Sequence, residues 1–271
     1  MIEELDLKGR KAIVTGSSRG IGKSIALVLA EAGADVVIAS RTVVDIEQTA
    51  QEVRDLGRDA IAIQTDVTKS EQVDAMVNKA INYFGAIDIM VNNAGQLLRL
   101  PTVPLPGSSF KSPTVTRETI SRTSDEEWSS IMEANLDSVF YCCRAIAPHM
   151  IERRYGKIIN ISSNNSVQAF PLMAAYNTSK AGVNMLTKVL ALEWAPYNIC
   201  VNGIGPGDYD TQMTHETWID PVARKRHISG IPLGREGDLR ELGVLAVYLS
   251  SAASDYMTGQ ICYMDGGLTA K

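Results

Sequence analysis

Several features that are common in other protein classes are scarce in this sequence of 271 residues. It has four cysteines, two of them adjacent and none in a CxxC pair, so we predict neither a metal site nor a disulfide framework. Positive charge is not in excess, because 26 Lys and Arg residues face 31 Asp and Glu residues, for a formal net charge of -5. Nucleic acids and anionic membranes are therefore not expected as partners, whereas a small-molecule substrate is expected.

A long apolar stretch is also missing before the first predicted strand. The chain opens with MIEELDLKGRKAIVTG, where acidic residues precede the first apolar run, so neither a signal peptide nor a membrane span is predicted. We expect a cytoplasmic protein with reduced, mostly buried cysteines. A chain of this length with 45% hydrophobic residues suits one domain over residues 1–271 with a full core.

Short apolar, β-branched runs alternate with stretches that favour helix. KAIVTG precedes a predicted helix over about 22–32, DVVIAS one over 44–56, and DAIAIQTD one over 71–84. The runs IDIMVNNAG, GKIINISS and NICVNGIGPG follow, each after a segment long enough for a crossover helix. Such strands predict a parallel sheet that is buried on both faces. The predicted fold class is α/β, a Rossmann-type doubly wound sheet with helices on both faces.

Two segments interrupt this alternation. Residues 96–124 are rich in Pro, Ser and Thr and are too long for an ordinary connection. Because they follow the carboxyl end of a strand, where open α/β sheets bind ligands, we expect a loop that covers a pocket. Residues 207–233 follow another strand end, and we expect them to form a substrate loop.

The first predicted strand runs into TGSSRGIG, which places Gly16, Gly20 and Gly22 at a strand-to-helix turn. Glycines there permit a tight turn and let backbone N–H groups at a helix N-terminus approach a pyrophosphate. The spacing is not GxGxxG, so the motif alone is also compatible with a purely structural bend.

Tyr176 and Lys180 lie four residues apart in YNTSK, on one face of a predicted helix. Taken alone, such a pair is typical of a solvated helix face. However, TGSSRGIG, the NNAG at 92–95, the strand end NISS and YNTSK together resemble the short-chain dehydrogenase/reductase family over residues 7–267. In that family a serine lies thirteen residues before the tyrosine, which is Ser163, and a structural asparagine falls on Asn135. The resemblance implies that Asn135, Ser163, Tyr176 and Lys180 are catalytic.

The resemblance also implies a reaction, the interconversion of a secondary alcohol and a ketone by hydride transfer. Tyr176 would be the acid/base, and the Lys180 cation would favour its phenolate form, because an ordinary phenol has a pKa near 10. Lys180 would also bond the nicotinamide ribose. Ser163 would hold the substrate oxygen, and Asn135 would anchor a water that links Lys180 to solvent.

The end of the second strand, IASRT, predicts the choice of cofactor. An acidic residue there favours NAD, whereas this chain has Ser40 and Arg41, and Arg19 can reach the same region. Guanidinium groups bond a 2′-phosphate, so we expect NADP(H) to be preferred over NAD(H), unless Arg19 and Arg41 are only exposed cations. The predicted cofactor-binding residues are Gly16, Ser18, Arg19, Gly20, Ile21, Gly22, Ser40, Arg41, Asp66, Val67, Asn93, Ala94, Gly95, Tyr176, Lys180, Pro206, Gly207 and Thr211.

The substrate is less well specified. NNAG followed by Arg99 and Pro101, with NGIGPG further on, resembles the gluconate 5-dehydrogenase branch, which implies a polyol or sugar acid contacted by Arg99, Ser163 and Tyr176. The long insertion after Arg99 departs from that branch. Alternatives are a 3-oxoacyl thioester, and a hydroxysteroid or cyclic alcohol suited to the apolar loop residues Leu97, Leu98, Leu100, Leu105 and Phe110. A protein that senses NADP(H) without turnover is an alternative from another class.

Two predicted helices carry apolar residues on more than one side, as expected of helices that pack on the sheet and on a partner subunit. One is the helix after NLDSVFYCCRAIAPHM, and the other is the helix that contains YNTSK. Members of the resembled family are commonly tetramers, so we expect a homotetramer, with a dimer as the alternative.

Overall fold

The computed structural model describes residues 2–103 and 122–270, except for the side chains of residues 216, 217 and 223. Its strands are β1 (Lys11–Thr15), β2 (Asp35–Ser40), β3 (Ala60–Gln64), β4 (Ile89–Asn92), β5 (Gly156–Ile161), β6 (Ile199–Pro206) and β7 (Ile261–Met264). They form one parallel sheet in the order β3-β2-β1-β4-β5-β6-β7. The prediction of a doubly wound α/β fold is confirmed.

Helices connect the strands. They are α1 (Gly20–Glu31), α2 (Val43–Asp55), α3 (Ser70–Phe84), α4 (Asp125–Met132), α5 (Ser138–Arg153), α6 (Ala174–Trp194), α7 (His215–Ile219), α8 (Pro221–Gly230) and α9 (Leu239–Ser250). The three helices predicted near the N-terminus are confirmed, with ends shifted by at most two residues. A π-helical turn, Glu133–Asp137, joins α4 to α5.

The sheet is buried on both faces because successive side chains of its strands point in opposite directions. Ala12 and Val14 of β1 belong to the core shared with α1, α2 and α9. Ile13, between them, belongs to the core shared with α3, α5 and α6. This explains why the strands appear as nearly continuous apolar runs in the sequence.

The seventh strand was not among the predicted ones. Ile261–Met264 pairs with β6 at the edge of the sheet, and its side chains are only partly buried. A run of four half-buried residues lacks the long apolar signal of the central strands, so pairing with β6 is what makes it a strand.

The two predicted loops differ in how much of them is described. Residues 104–121 of the insertion, including Leu105 and Phe110, lie outside the described residues. The ends of the insertion meet, because the Thr123 N–H and hydroxyl both donate to the Pro101 carbonyl, at 2.8 and 3.0 Å. The substrate loop contains α7 and α8.

Within residues 2–103 and 122–270, no helix is long and apolar enough to cross a membrane. The same residues contain no group of three or more His, Cys, Asp or Glu side chains arranged to hold a metal ion.

Candidate active site

A cavity of about 500 Å³ opens at the carboxyl ends of the central strands. Its walls include every predicted catalytic and cofactor-binding residue except Asn135. The predicted substrate residue Arg99 is also absent from these walls, whereas Leu97 is present. Residues brought together from the whole chain therefore line one cavity, as expected at this edge of a doubly wound sheet.

The glycines after β1 let the first turn pack closely against the end of β4. A Cβ atom on Gly22 would lie 2.3 Å from Asn93 Nδ2 and 2.4 Å from the Gly16 carbonyl oxygen. Asn93 Nδ2 instead donates to the Thr15 and Gly16 carbonyls, at 2.9 and 3.1 Å. Gly16 and Gly20 have positive φ angles, which glycine adopts without strain.

The N-terminus of α1 faces this cavity through Gly20, Ile21 and Gly22. Its N-cap residue, Arg19, makes no side-chain hydrogen bond to the first turn. The backbone N–H groups there are therefore available to an anionic ligand, which the helix dipole also favours. A pyrophosphate fits both the open N–H groups and the room that the glycines leave.

The arginines predicted to select the cofactor are both exposed at the cavity rim. In the described part of the chain, neither the Arg19 nor the Arg41 guanidinium forms a hydrogen bond or an ion pair. Nearby, burial raises the pKa of Asp66, but hydrogen bonds from Thr68 and the charges of Arg41 and Lys69 outweigh it, so the pKa is lowered overall. Asp66 Oδ1 accepts the Thr68 N–H at 3.0 Å and the Thr68 hydroxyl at 2.8 Å.

Lys180 is 4% exposed, and its ammonium donates to the Ile161 carbonyl at 2.8 Å. Burial lowers the pKa of Lys180 to about 8, because a charged group is poorly solvated there. The Lys180 Nζ atom lies 5.9 Å from the centre of the Tyr176 ring. A lysine with such a pKa can take up or release a proton close to neutral pH.

Tyr176 is one turn before Lys180 on α6 and lines the same cavity. Burial raises the pKa of its phenol, while a hydrogen bond with Ser163 and the positive charge of Arg99 oppose that rise. The sequence predicted Lys180 as the cation that lowers this pKa, whereas the charge that lowers it here is that of Arg99, and the pKa of Tyr176 stays raised overall.

Ser163 lies two residues beyond the end of β5 and is the N-cap of a single 3₁₀ turn, Asn164–Ser166. Its Oγ atom accepts the Asn165 N–H at 3.1 Å and lies 3.2 Å from Asn164 Oδ1. The serine is 6% exposed and faces the cavity. Its hydroxyl hydrogen therefore has Asn164 and Tyr176 as candidate acceptors.

Asn135 is fully buried in the π-helical turn and does not line the cavity. Its side chain joins two segments, because Oδ1 accepts the Gln96 N–H at 2.7 Å and Nδ2 donates to the Gln96 carbonyl at 2.9 Å and to Ser179 Oγ at 3.1 Å. A Cβ atom on Gly95 would lie 3.0 Å from Asn135 Oδ1 and 3.6 Å from Lys180 Nζ. The absence of a side chain at Gly95 thus lets Asn135 and Lys180 approach the same backbone segment.

Arg99 lies beside the start of α6, since the next residue, Leu100, forms a bridge with Met173. Its Nε atom is buried and has no hydrogen-bond partner among the residues that the structure describes. A buried guanidinium N–H without a partner is unfavourable, so this atom is a candidate contact for an anionic ligand.

The segment after β6 closes the other side of the cavity. A Cβ atom on Gly207 would lie 2.5 Å from the Asp265 Cα atom. Only a residue without a side chain therefore fits here, where the chain packs against the end of β7. The Thr211 side chain lies 3.7 Å from where a Cβ atom of Gly20 would be. Thr211 therefore faces the first turn across the cavity.

Some residues of this site were not predicted. Thr42, Thr65, Thr68, Gln96, Ala134, Ile161, Ser162, Tyr209, Gln212, Met213 and Thr214 also line the cavity. Ser17 is fully buried and joins β1 to β2, donating to the Val14 carbonyl at 2.7 Å and accepting the Ala39 N–H at 3.0 Å. The sequence carries a signal for Thr68, because a hydroxyl two residues after an aspartate is typical of an Asx turn.

Comparisons with known proteins agree with this geometry. The family model described as short chain dehydrogenase matches residues 10–221. The 3beta-hydroxysteroid dehydrogenase 1 of Eggerthella lenta is 38% identical over 97% of this chain and 95% of that protein. The 2-dehydro-3-deoxy-D-gluconate 5-dehydrogenase of Escherichia coli is 36% identical over all of both chains. A solved structure of a gluconate 5-dehydrogenase from Burkholderia cenocepacia, in complex with NADP and tartrate, has a TM-score of 0.88 and 39% identity over 99% of this chain and 98% of that chain.

Proposed function

The chain belongs to the short chain dehydrogenase family and is an oxidoreductase that interconverts a secondary alcohol and a ketone with a nicotinamide cofactor, and from this we propose that Asn135, Ser163, Tyr176 and Lys180 carry the reaction. The observation that carries the proposal is that the catalytic and the cofactor-binding residues line one cavity. Ser163, Tyr176 and Lys180 line the same cavity as the glycine-rich turn and the open N-terminus of α1. A group that moves a proton and a site that suits a pyrophosphate thus lie together.

Tyr176 moves the proton in this mechanism. In the reductive direction its phenol donates a proton to the oxygen of the carbonyl, and in the oxidative direction its phenolate accepts the proton of the alcohol. The Ser163 hydroxyl stabilises the charge on the substrate oxygen and on the phenolate. The nicotinamide cofactor, when bound, supplies or accepts the hydride.

Lys180 and Asn135 act in proton transfer rather than in substrate binding. A lysine with a pKa of about 8 can exchange a proton near neutral pH, which suits a relay between Tyr176 and solvent. Asn135 holds the segment at Gln96 next to Lys180 through its two hydrogen bonds to that backbone. A water between Asn135 and Lys180 would complete this relay to solvent.

We propose that the enzyme prefers NADP(H) to NAD(H). β2 ends in Ser40 rather than in an acidic residue, so no carboxylate at that position repels a 2′-phosphate. The exposed Arg19 and Arg41 guanidinium groups at the rim supply bidentate donors for such a phosphate. The Burkholderia structure, which is 39% identical, holds NADP.

The proposed substrate is a polyol or sugar acid. Arg99 supports this proposal. Its buried Nε has no partner in the described part of the chain, and its charge lies near Tyr176, so it suits a carboxylate held close to the reacting carbon. Tartrate, which the Burkholderia structure contains, is an anion of this kind. A hydroxysteroid is the second candidate, supported by the Eggerthella relative and by the apolar Leu97 and Met213 on the cavity wall.

We further propose a cytoplasmic homotetramer. All four cysteines are free thiols, which suits a reducing compartment. On α6, Met185, Val189 and Leu192 expose 61%, 42% and 79% of their surface, and Phe140 on α5 exposes 43%. Exposed apolar residues that recur at helical spacing indicate a surface that a second subunit covers.

Nicotinamide absorbance during turnover tests the proposed reaction. Purified protein is mixed with aldonates, polyols, 3-oxoacyl thioesters, hydroxysteroids and cyclic alcohols, with NADP(H) and with NAD(H). We expect turnover that favours NADP(H) and a sugar acid and that falls by a factor on the order of 10³ or more in Tyr176→Phe. Tyr197→Phe, at a tyrosine 37% exposed beyond the end of α6, is the control and should retain full activity.

The outcomes separate the alternatives. Tight NADP(H) binding with no turnover on any compound would support the sensing protein instead. Turnover of steroids but not of aldonates would select the second candidate. Full activity in Tyr176→Phe would overturn the mechanism.

A further inference from the structure

The side-chain amide of Asn184 lies one turn after Lys180 on α6 and contacts the chain on both sides of Ser163. Its Oδ1 accepts the Ser162 hydroxyl at 2.6 Å, and its Nδ2 donates to Ser166 Oγ at 2.8 Å. Asn184 is 9% exposed. One amide therefore connects the helix that carries Tyr176 and Lys180 to the residue before Ser163 and to the end of the 3₁₀ turn after it.

Ser166 passes this contact on to Ser163. Its hydroxyl donates to the Ser163 carbonyl at 2.5 Å, and its backbone N–H donates to the same carbonyl at 3.0 Å. Because the Ser163 carbonyl oxygen can only accept, the Ser166 hydroxyl hydrogen points to Ser163 in this bond, and the Ser166 oxygen is still able to accept from Asn184. The Ser163 carbonyl is thus held by two groups of Ser166, its hydroxyl and its backbone N–H.

The third member comes from the edge strand β7. The Tyr263 hydroxyl lies 3.0 Å from Asn184 Nδ2 and 3.2 Å from Ser166 Oγ. Its ring can reach them because β6 has a glycine beneath it, since a Cβ atom on Gly205 would lie 2.4 Å from Tyr263 Cδ1. Helix α6, the 3₁₀ turn and β7 therefore meet at Asn184 Nδ2 and Ser166 Oγ.

We propose that Asn184, Ser166 and Tyr263 are positioning residues that hold the Ser163 hydroxyl against Tyr176. The inference rests on the proposed function, in which Ser163 bonds the reacting oxygen. A 3₁₀ turn of three residues has little stability of its own, so its placement depends on these side-chain bonds. Since Asn184 is on the same rigid helix as Tyr176, its bonds set the distance between Ser163 and Tyr176 directly.

The test compares Asn184→Leu and Tyr263→Phe with Thr187→Val. Leu has the same number and branching of side-chain heavy atoms as Asn, although it is larger, and it cannot bond Ser162 or Ser166. Thr187 is the matched control because it is a fully buried polar residue on the next turn of α6, where it accepts from Asn160 at 2.9 Å and has no bond to the Ser163 segment. All three variants are expected to lose some thermal stability.

Measurements of kcat should distinguish the three variants. We expect kcat to fall by a factor on the order of 10 to 100 in Asn184→Leu and by a smaller factor in Tyr263→Phe, while Thr187→Val stays within about twofold of wild type. The Kd for NADPH, measured by fluorescence, should stay within about threefold in every variant, because the glycine-rich turn is untouched. The pH midpoint of the oxidative reaction should rise in Asn184→Leu, since a displaced Ser163 no longer bonds the phenolate.

Two further variants distinguish failure of this inference from failure of the proposed function. If Ser163→Ala keeps full activity, the proposed role of Ser163 is wrong, and the inference fails with it. If Ser163→Ala loses activity while Asn184→Leu behaves as Thr187→Val does, the inference alone is overturned. The double variant Asn184→Leu with Tyr263→Phe should lose no more kcat than Asn184→Leu alone, because both changes act through one network. Additive losses would contradict the proposal.

Discussion

Lys180 is a buried cation that the described part of the chain does not pair with a carboxylate. Its ammonium has the Ile161 carbonyl as an acceptor at 2.8 Å, and burial lowers its pKa to about 8. Relative to an ordinary lysine near 10.5, this corresponds to about 3 kcal/mol of unfavourable burial at pH 7. A residue retained at such a cost to stability is typical of a functional site.

We therefore predict that Lys180→Met stabilises the protein without cofactor and abolishes activity. After subtraction of the lost bond to Ile161, the gain should be roughly 1 to 2 kcal/mol at pH 7. Because the folded-state pKa is lowered, the unfavourable burial is fully present below about pH 8 and disappears as pH rises towards 10.5. Urea unfolding at pH 7 and pH 9.5 measures this, and a variant less stable than wild type at pH 7 would contradict the prediction.

Arg99 offers a second prediction at this scale. Its positive charge lowers the pKa of Tyr176, so removing the charge should raise that pKa and shift the pH midpoint of oxidation upwards. We expect Arg99→Leu to shift the midpoint upwards and to weaken binding of a sugar acid. Arg99→Lys keeps the charge and is the control, with an unchanged midpoint. Equal midpoints for wild type and Arg99→Leu would show that Arg99 does not act on the phenol.

At the scale of elements, the connection between β1 and α1 depends on space rather than on side-chain chemistry. Gly22 lies inside α1, where glycine is intrinsically unfavourable. It is required there because Asn93 Nδ2 and the Gly16 carbonyl occupy the position where a Cβ atom would be. The Asn93 side chain is thereby held against the carbonyls of the first turn.

Gly22→Ala should consequently weaken cofactor binding. The added methyl group would displace either Asn93 or the first turn, and we expect the Kd for NADPH to rise roughly tenfold or more, with a stability loss of about 1 to 3 kcal/mol. Gly230→Ala, at the end of α8, is the control because a Cβ atom there would meet none of the described atoms within 4 Å. Isothermal titration with NADPH distinguishes the two, and an unchanged affinity in Gly22→Ala would oppose the proposed cofactor site.

For the whole molecule, the order of the strands explains the position of the site. β1 and β4 are neighbours although β2, β3 and their helices lie between them in sequence, so the chain reverses direction along the sheet between them. The turns that follow these two strands diverge and leave a crevice, which is where the cavity opens. The organisation of residues 1–271 as one domain stays a prediction.

The proposed assembly also belongs to this scale. Replacing the exposed Leu192 by Lys should break a subunit interface that includes α6, because a charge would be buried there without a partner. We expect light scattering with size-exclusion chromatography to give a smaller assembly for Leu192→Lys than for wild type. Leu56→Lys, at an apolar residue 45% exposed beyond the end of α2, should not change the mass. A wild-type protein that is monomeric would reject the homotetramer outright.

Local patterns in the chain were sufficient to predict six strands, their parallel arrangement and the glycine-rich turn, because burial on two faces and turn geometry leave a signal within a few neighbouring residues. The short edge strand β7 left no such signal. Ser163, Tyr176 and Lys180 were located through spaced motifs, and the fold brings them to one cavity.

Contacts between distant elements could not be read in this way. Asn135 bonds Gln96 and Ser179, 39 and 44 residues away, and Asn184 meets Tyr263, 79 residues away. These distances in sequence carry no periodicity, since they depend on how α5 and α6 pack against the sheet and on how β7 joins its edge. The charge of Arg99 near Tyr176 and the lowered pKa of Lys180 likewise follow from burial, which exists only once the helices and the sheet are assembled.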